Sequence, residues 1–440
     1  MRKLTAITTI SIISLALAAC SPSGEAGPTQ ENVPTNVSTE LTTEPITLTV
    51  AYCDAHPVED LLDGFTALHA NVTFEKQYED CGNFSTDVVN KLTSDSAPDI
   101  VQYVDAAIQT TAPAGQVLDL GPYAEAYGWA EKFPASQLAQ LQLSADGKVH
   151  GEGAQYGIPG GASFTGLYYN KALLAQAGIA AAPVSLAEFE AALAALKEAG
   201  ITPIALGSLD DGGIHLWGGL LINALGAPAA QDWVNGKAGA TIDLGGATET
   251  AAKLADWAAK GYFPDSANGT KEDDARAEFA QGKAAFTADG SWAVGTVAEG
   301  LGDDAGFVAF PAPDGVADGP ATGQSFTAGF AISAKTQKAD AAAAFLNYLA
   351  SAEAAEISVG LGMLPVNLET APAPAAGVAT DLRNAYAQAA QSDGLVTFLD
   401  HATPTMHTAL TQGLQGVIAG QTTPSEFISS LQADWDSDKG

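Results

Sequence analysis

The chain has 440 residues, of which 18 are Lys or Arg and 51 are Asp or Glu, so its formal net charge at pH 7 is -33. A chain this acidic is repelled by nucleic acid and by anionic lipid surfaces, which excludes the classes of protein that bind either one through charge. The charges are scattered rather than grouped in runs, so we interpret them as a solvated surface.

The first 19 residues have the layout of a secretory signal peptide. A basic start precedes an apolar stretch from Leu4 to Ala19, which is too short to span a bilayer comfortably. The stretch ends in Leu-Ala-Ala-Cys20, which resembles the lipobox of bacterial lipoproteins. The resemblance implies cleavage before Cys20 and lipidation of this cysteine, so we expect the protein on the extracytoplasmic face of the cell membrane, held by the lipid anchor only. An ordinary signal peptide beside a chance cysteine is the alternative.

Two cysteines, Cys53 and Cys81, remain once Cys20 is set aside. An even number of cysteines in an oxidising compartment favours a disulfide, which would stabilise the fold by roughly 3–4 kcal/mol on the chain-entropy model. Two separate buried thiols are the alternative, because free cysteine packs as a small hydrophobic residue. The compartment favours the disulfide.

Residues 20–45 carry the lipidated cysteine and a segment rich in Ser, Thr, Pro, Gly, Asn and Glu. Such a composition buries too little apolar surface to order itself, which predicts a flexible linker. The folded part is expected to begin near residue 45, and the remaining length of about 400 residues exceeds what one hydrophobic core usually supports. The sequence therefore predicts two domains.

Strands and helices alternate from residue 46 onward. Strands are predicted at 46–52, 72–78 and 99–104, and helical patterns fill the intervals between them. Repeated strand–helix–strand units predict a parallel sheet covered on both faces, with ligands beyond the carboxyl ends of its strands. Four candidate ligand contacts follow these strands, namely Asp54, His56, Asp80 and Asp105. Asp105 is preferred to Asp99, which is expected to begin its strand.

A second α/β region is predicted to begin near Gly166. Residues 167–170 precede a short helix at 171–177. The further elements are a helix between Ser185 and Gly200, a strand at 201–206, helices at 214–225 and 247–260, and a strand at 283–288. Ser185 and Glu188 match a capping box. Asp289 and Gly290 are expected to turn the chain sharply after the last strand.

Four segments together resemble the family 1 extracellular solute-binding proteins, the sugar-capturing subunits of ABC importers, to which maltose-binding protein is a distant relative. The segments are Gly166–Leu174 with Gly178, Pro183 and the helix that follows; Ala277–Phe286 closing on Asp289–Trp292; Ala328–Ser333 followed by a helix ending in Phe345–Leu349; and Gly362–Asn367. Each segment alone is weak, but they occur in the order and spacing of the family over nearly the whole mature chain.

The resemblance implies an α/β fold of the two-lobed periplasmic-binding-protein type (type II), with the ligand cleft between the lobes and three crossings between them. The first lobe takes residues 46–161 and 329–362, and the second takes 162–328 and 366–440. Hinges are expected near 159–164, 325–330 and 362–367. Phe164, Phe330 and Met363 lie in these crossings and are candidates to face the cleft.

Trp292 is the preferred ligand contact. It is expected in the first turn of a helix at the carboxyl end of a strand, where an indole offers a flat apolar face to a sugar ring. A tryptophan packed in the core is the alternative, and the resemblance favours ligand stacking. Trp217, Asp210 and Asp211 are further candidates, although each could equally be a helix cap or a core aromatic residue. The other tryptophans, Trp129, Trp233, Trp257 and Trp435, are expected to be structural.

Signatures of enzymes are mostly absent from the sequence. It contains no G-x-S-x-G, no H-E-x-x-H and no P-loop, and His401 and His407 are too far apart for a helical metal pair. We therefore expect a monomeric binding protein without catalytic residues, metal or cofactor, which passes a sugar or oligosaccharide to the permease subunits of an ABC importer. A secreted lipoprotein enzyme acting on polysaccharide, or the same fold binding a non-sugar solute, is the alternative.

Overall fold

The computed structural model describes residues 32–53, 55–79, 81–103, 107–242, 246–313, 321–361, 363–373 and 376–440. The predicted signal peptide, Cys20 and the first part of the linker lie outside the described residues. So do Asp54, Asp80 and Asp105, and the side chains of His56 and Cys81.

Twelve strands form three sheets in the described part of the chain. In chain order they are β1 (Ile46–Tyr52), β2 (Val72–Tyr78), β3 (Ile100–Tyr103), β4 (Gln142–Leu143), β5 (Ala154–Gln155), β6 (Gly161–Asn170), β7 (Thr202–Ala205), β8 (Ala284–Gly290), β9 (Ala305–Val308), β10 (Thr322–Thr327), β11 (Gly329–Ile332) and β12 (Leu395–Thr397). The order is β11-β3-β1-β2 in the first sheet and β12-β10-β6-β8-β7 in the second, where β9 also pairs with β6; β4 and β5 form a small hairpin.

Helices cover these sheets. In chain order they are α1 (Ala55–Leu68), α2 (Cys81–Thr93), α3 (Ala107–Thr111), α4 (Gly121–Tyr127), α5 (Trp129–Lys132), α6 (Ala135–Ala139), α7 (Lys171–Gln176), α8 (Leu186–Glu198), α9 (Gly212–Leu225), α10 (Ala227–Val234), α11 (Ala247–Ala259), α12 (Glu272–Ala280), α13 (Val294–Leu301), α14 (Ala339–Tyr348), α15 (Ala352–Gly360), α16 (Val378–Gln391), α17 (Met406–Ile418) and α18 (Pro424–Lys439). None of the described helices is long and apolar enough to cross a membrane.

The first lobe is built around a largely parallel sheet. β1 pairs in parallel with β2 and with β3, as the alternating strand and helix pattern predicts. β11 returns from far along the chain to pair antiparallel with β3. Apolar residues of α1 such as Leu61 and Phe65 are buried, and Phe65 packs edge-on against Phe345 of α14. The first lobe is therefore discontinuous in sequence.

The second lobe has a mixed sheet. β7 pairs in parallel with β8, and β10 with β12, whereas β6 is antiparallel to its neighbours β8, β9 and β10. The Ser185 hydroxyl accepts a hydrogen bond from the amide of Glu188, as the capping box predicts. The Glu188 carboxylate accepts from the amide of Val184 instead of that of Ser185. The Ser185 half of the capping box is therefore present, whereas the Glu188 side chain bonds the amide one residue before the expected one.

The linker prediction is wrong for residues 32–45. Val37 and Leu41 pack against the core of the first lobe. The backbone amide of Asp119 donates to the carbonyl of Asn32 at 3.0 Å, and that of Ser38 donates to Asp340 at 3.1 Å. These contacts with the first lobe offset the entropy lost when the segment is ordered, which its own polar residues could not do. The ordered part therefore begins well before residue 45.

The chain crosses between the lobes at three places. The first crossing follows Ile158, which forms a β-bridge with Phe330, and leads into β6. The third crossing follows α15, and its Leu364 forms a β-bridge with Ala162. Between these, the single residue Ala328 separates β10 of the second sheet from β11 of the first. Its φ of 48° is one that residues with a side chain adopt only at a cost. The crossings therefore lie side by side.

Candidate ligand-binding cleft

A cavity of about 760 Å³ lies between the two lobes. From the first lobe it is lined by Val89, Ala107 and Thr110, and from the second by Ser163, Asp211, His215, Glu272, Trp292, Ser325, Phe398, Asp400, His401, Thr403, Pro404, His407 and Thr408. Most of the residues from the second lobe follow the carboxyl ends of β7, β8 and β12. The cavity therefore lies where an α/β sheet is expected to place its ligand.

An aromatic group forms one wall of the cavity. Trp292 lies in a short 3₁₀ turn that follows β8, and 41% of its surface is exposed, whereas the other five tryptophans are at most 5% exposed. The His215 ring lies 5.3 Å from the Trp292 ring, and the Phe398 ring lies 6.3 Å from it in an edge-on arrangement. The indole packs over Gly290, where an added Cβ would lie 2.2 Å from the ring. A glycine is needed there for this close approach.

The predicted turn at Asp289 and Gly290 is wrong by two residues. Both remain in β8, where they pair with Gly166 and Thr165 of β6, and the chain turns at Ser291. The sheet thus extends to the edge of the cavity. Trp292 therefore lies only two residues beyond the end of the strand.

A buried ion network supports this wall. Arg276 donates from Nε and Nη2 to the two carboxylate oxygens of Asp289, at 2.6 and 3.0 Å, and Nη2 also reaches Glu272 at 3.2 Å. Asp289 has no exposed surface and accepts a further hydrogen bond from the amide of Gly290. Burial, together with the nearby charge of Glu272, raises the pKa of Asp289 to about 6 against the opposing effect of Arg276. The network holds α12 against β8, the strand that leads to Trp292.

Two histidines pair with carboxylates at the cavity. His215 Nδ1 lies 2.5 Å from Glu272 Oε1. Burial opposes the charged form of His215, but the charge and hydrogen bond of Glu272 outweigh burial and raise its pKa to about 9. His407 Nε2 lies 2.7 Å from Asp211 Oδ1, and this hydrogen bond lowers the pKa of Asp211. The wall thus combines aromatic faces with paired charges.

Asp211 and Asp210 have different positions. Asp211 lines the cavity, whereas the carboxylate of Asp210 accepts a hydrogen bond of 2.7 Å from the backbone amide of Glu272, at the start of α12. Asp210 is not among the residues that line the cavity, so its direct contact with a ligand stays a prediction. In the structure it positions Glu272.

Three aromatic residues predicted to face the cleft are buried in the cores of the lobes. Trp217 has no exposed surface, donates to the Thr250 hydroxyl at 3.1 Å and packs against Phe427. Phe164 packs against Phe307 and Tyr386 in the second lobe, and Phe330 packs against Phe345 in the first. None of the three reaches the cavity, so these predictions are wrong.

Met363 lies apart from the cavity. It lines a separate apolar pocket of about 50 Å³ beside the third crossing, together with Leu364 and Leu368. The predicted contact of Met363 with the ligand gains no support from this position and stays a prediction. The predictions for Asp54, His56, Asp80 and Asp105 concern residues or side chains outside the described part of the chain.

The structure describes the side chain of only one of the two cysteines predicted to form a disulfide. Cys53 is disulfide-bonded. Because the side chain of Cys81 lies outside the described part, the pairing of Cys53 with Cys81 stays a prediction.

Several cavity residues were missed by sequence reasoning. They are His215, Glu272, Phe398, Asp400, His401 and His407. The last two were weighed only as a metal pair; among the described residues, no group of His, Cys, Asp or Glu is suited to hold a metal ion. Phe398 and Asp400 directly follow a short strand, and this position could have marked them.

Two α/β lobes, three adjacent crossings and a polar, aromatic cavity between the lobes define a two-lobed binding protein. The sequence model of the bacterial extracellular solute-binding proteins matches residues 55–356, and the chain belongs to that family. The resemblance stated from the sequence is thereby confirmed. Among curated proteins, none matches the chain in sequence.

Solved structures of the same fold cover most of the chain. A chitin oligosaccharide binding protein is 24% identical, with a TM-score of 0.73 over 90% of this chain and 99% of its own. A family 1 extracellular solute-binding protein from Bifidobacterium longum subsp. infantis is 21% identical, with a TM-score of 0.72 over 90% and 100%. The GacH receptor of Streptomyces glaucescens GLA.O, solved unliganded and with acarbose, is 21% identical, with a TM-score of 0.66 over 89% and 97%. At these identities the likeness establishes the two-lobed fold.

Proposed function

We propose that this solute-binding protein captures a sugar or short oligosaccharide in the cavity and delivers it to the permease of an ABC importer. The observation that carries the proposal is the half-exposed face of Trp292 over the cavity, next to Phe398 and to hydrogen-bonding groups. Aromatic faces bind the apolar face of a sugar ring, and carboxylates, imidazoles and hydroxyls bind its hydroxyl groups. The cavity volume of about 760 Å³ falls within the roughly 300–1,000 Å³ that is usual for small-molecule sites.

Binding is coupled to closure of the lobes. A ligand in the cavity contacts both lobes only when they are closed, so it favours the closed state. Movement is expected at the three crossings, with the lobes limited as in the sequence to 46–161 with 329–362 and 162–328 with 366–440. Ala328 is the residue at which a strand of one lobe passes directly into a strand of the other. Hinges are commonly a few such residues at the ends of elements.

The location of the protein is part of the proposal. Lipid on Cys20 anchors the mature chain, as a monomer, to the extracytoplasmic face of the cell membrane, and the permease lies in the same membrane. Residues 32–45 pack on the first lobe, so the chain is attached to this lobe from Asn32 onward. The neighbours that bind chitin oligosaccharide, acarbose or β-D-galactopyranose have this fold and support the choice of a sugar.

A thermal-shift screen tests the proposal. We expect the protein to be stabilised by at least one sugar of a panel of chitotriose, xylotriose, maltotriose and galactose. At a hundredfold excess over Kd, binding adds about 2.7 kcal/mol to the free energy of unfolding. Chromatography of the same mixtures should show unchanged sugar, because the site is proposed to bind without turnover. Cleavage of an oligosaccharide would support the enzyme alternative, and stabilisation by amino acids or ions alone would contradict a sugar ligand.

A further inference from the structure

His215 occupies the centre of the aromatic wall. It lies in the first turns of α9, and its ring contacts those of Trp292 and Phe398, at centroid distances of 5.3 and 5.6 Å. Only about a tenth of its side chain is exposed, and that part lines the cavity. Its Nδ1 is held by Glu272, so Nε2 is the ring nitrogen left to bond a ligand.

The carboxylate of Glu272 is fully engaged. Oε1 binds His215 and Oε2 accepts from Arg276, while the backbone amide donates to Asp210. Arg276 is in turn fixed by both oxygens of Asp289. The imidazole of His215 is therefore the last member of a fixed chain of charged groups, and it lines the cavity together with Glu272.

The charges around His215 come from several elements. Glu272 and Arg276 lie on α12, Asp289 on β8, Asp211 just before α9 and His407 on α17; Asp400 and His401 line the cavity near Phe398. Glu272, Asp211 and Asp289 all favour the charged imidazole, with Glu272 contributing most, and they outweigh burial. With a pKa of about 9, His215 is charged throughout the neutral range.

We infer that His215, held as an imidazolium by Glu272, donates a hydrogen bond from Nε2 to an oxygen of the ligand and thereby fixes how the ligand lies on Trp292. This rests on the proposed capture of a sugar in the cavity. The sugar position at this point must present an acceptor, such as a ring, hydroxyl or carbonyl oxygen. The carboxylates of Asp211 and Asp400 also line the cavity, so the inference concerns the acceptor oxygen alone and not the net charge of the ligand.

The first test needs no ligand. NMR titration of the ring of His215, assigned by loss of its signals in His215→Gln, should give a midpoint near 9 in the wild type. In Glu272→Gln the largest effect that opposes burial is removed, and the midpoint should fall clearly below that of the wild type. Glu190→Gln is the matched control, because Glu190 pairs with Lys253 far from the cavity. A neutral ring at pH 7 in the wild type would overturn the inference.

The second test uses the panel sugar that stabilises the wild type. Its Kd should change little between pH 7 and 8 in the wild type, where His215 stays charged. In Glu272→Gln the sugar should bind about ten- to a hundredfold more weakly at pH 8, the range for a lost hydrogen bond to a charged group, and recover as the pH falls. His215→Phe, which keeps a ring beside Trp292 but has no donor, should bind weakly at every pH.

The two tests separate this inference from the proposed function. If no panel sugar binds while His215 titrates near 9, the proposal of a sugar ligand is wrong, but His215 is still a charged hydrogen-bond donor in the cavity. If a sugar binds equally well to wild type, Glu272→Gln and His215→Phe, the protein is a sugar-binding protein but His215 does not orient the ligand, and the inference is wrong.

Discussion

Replacement of Arg276 with methionine should lower the free energy of unfolding by about 3–5 kcal/mol at neutral pH, the usual cost of breaking a buried ion pair by removing one partner. The guanidinium neutralises Asp289, which has no exposed surface, and also binds Glu272. Methionine fills most of the space of the aliphatic part of arginine, so the loss of stability is due to the missing charge rather than to a new cavity. Denaturant unfolding followed by circular dichroism measures the effect.

The loss should depend on pH. Without Arg276, the pKa of Asp289 rises further above its value in the unfolded chain, so the folded variant binds a proton that the unfolded chain releases. Stability of the variant therefore falls as the pH rises from the unfolded pKa to the folded one, and its deficit relative to wild type is smallest in acid.

A matched control keeps this interpretation specific. Lys237→Met removes an exposed cation paired with Asp232, and it should leave stability almost unchanged, because exposed pairs contribute little. A deficit for Arg276→Met that matches the control, or that does not change with pH, would contradict the structural role of the network.

Replacement of Trp292 with alanine should weaken ligand binding by about 1–3 kcal/mol, on a scale borrowed from base–aromatic stacking, or roughly five- to more than a hundredfold in Kd. The indole is 41% exposed and lies on the surface of the cavity, so the melting temperature without ligand should stay close to that of wild type. Calorimetric titration and thermal unfolding measure the two effects.

Trp217→Ala provides the opposite case. Trp217 is fully buried against Phe427, and its truncation should cost about 3–5 kcal/mol of stability. The ligand affinity of its folded fraction should be unchanged. If Trp292→Ala were destabilised like Trp217→Ala and bound its ligand normally, Trp292 would be a core residue and the position assigned to the ligand would be wrong.

The elements whose apolar residues follow a clear period were predictable from sequence. β1 and β2 begin and end at the predicted residues, and α12 ends before Gly282, which has a φ of 75°. These elements are specified locally, by alternation along the strand and by the residue that ends the helix. For Trp292 the local pattern left a core position and a cleft position equally open, and the family resemblance favoured the exposed position that the structure has.

The face on which a side chain lies was not predictable where an element is buried on all sides. α9 has apolar residues around its whole circumference, so sequence cannot show that Trp217 points into the core while His215 points into the cavity. β6 is likewise buried along almost its whole length, and there Ser163 lines the cavity while the adjacent Phe164 packs in the core. Only tertiary packing decides between these faces.

Contacts between residues far apart in the chain were also not predictable from the sequence. His215 meets Glu272 across 57 residues, and Asp211 meets His407 across 196. Their spacing has no period, and no local pattern joins them. The wall of the cavity is assembled from the ends of three strands, and their order in the sheet differs from their order in the chain.

The central claim, that a sugar binds against Trp292 between the lobes, is tested most directly by acrylamide quenching of tryptophan fluorescence in the wild type. Trp292 is the exposed tryptophan and the other five are buried, so the free protein should show a distinct fraction of emission that acrylamide quenches readily. With the stabilising sugar at saturation, that fraction should become protected, and Trp292→Ala should lack it with or without sugar. A saturated complex in which Trp292 is quenched as readily as in the free protein would contradict the claim.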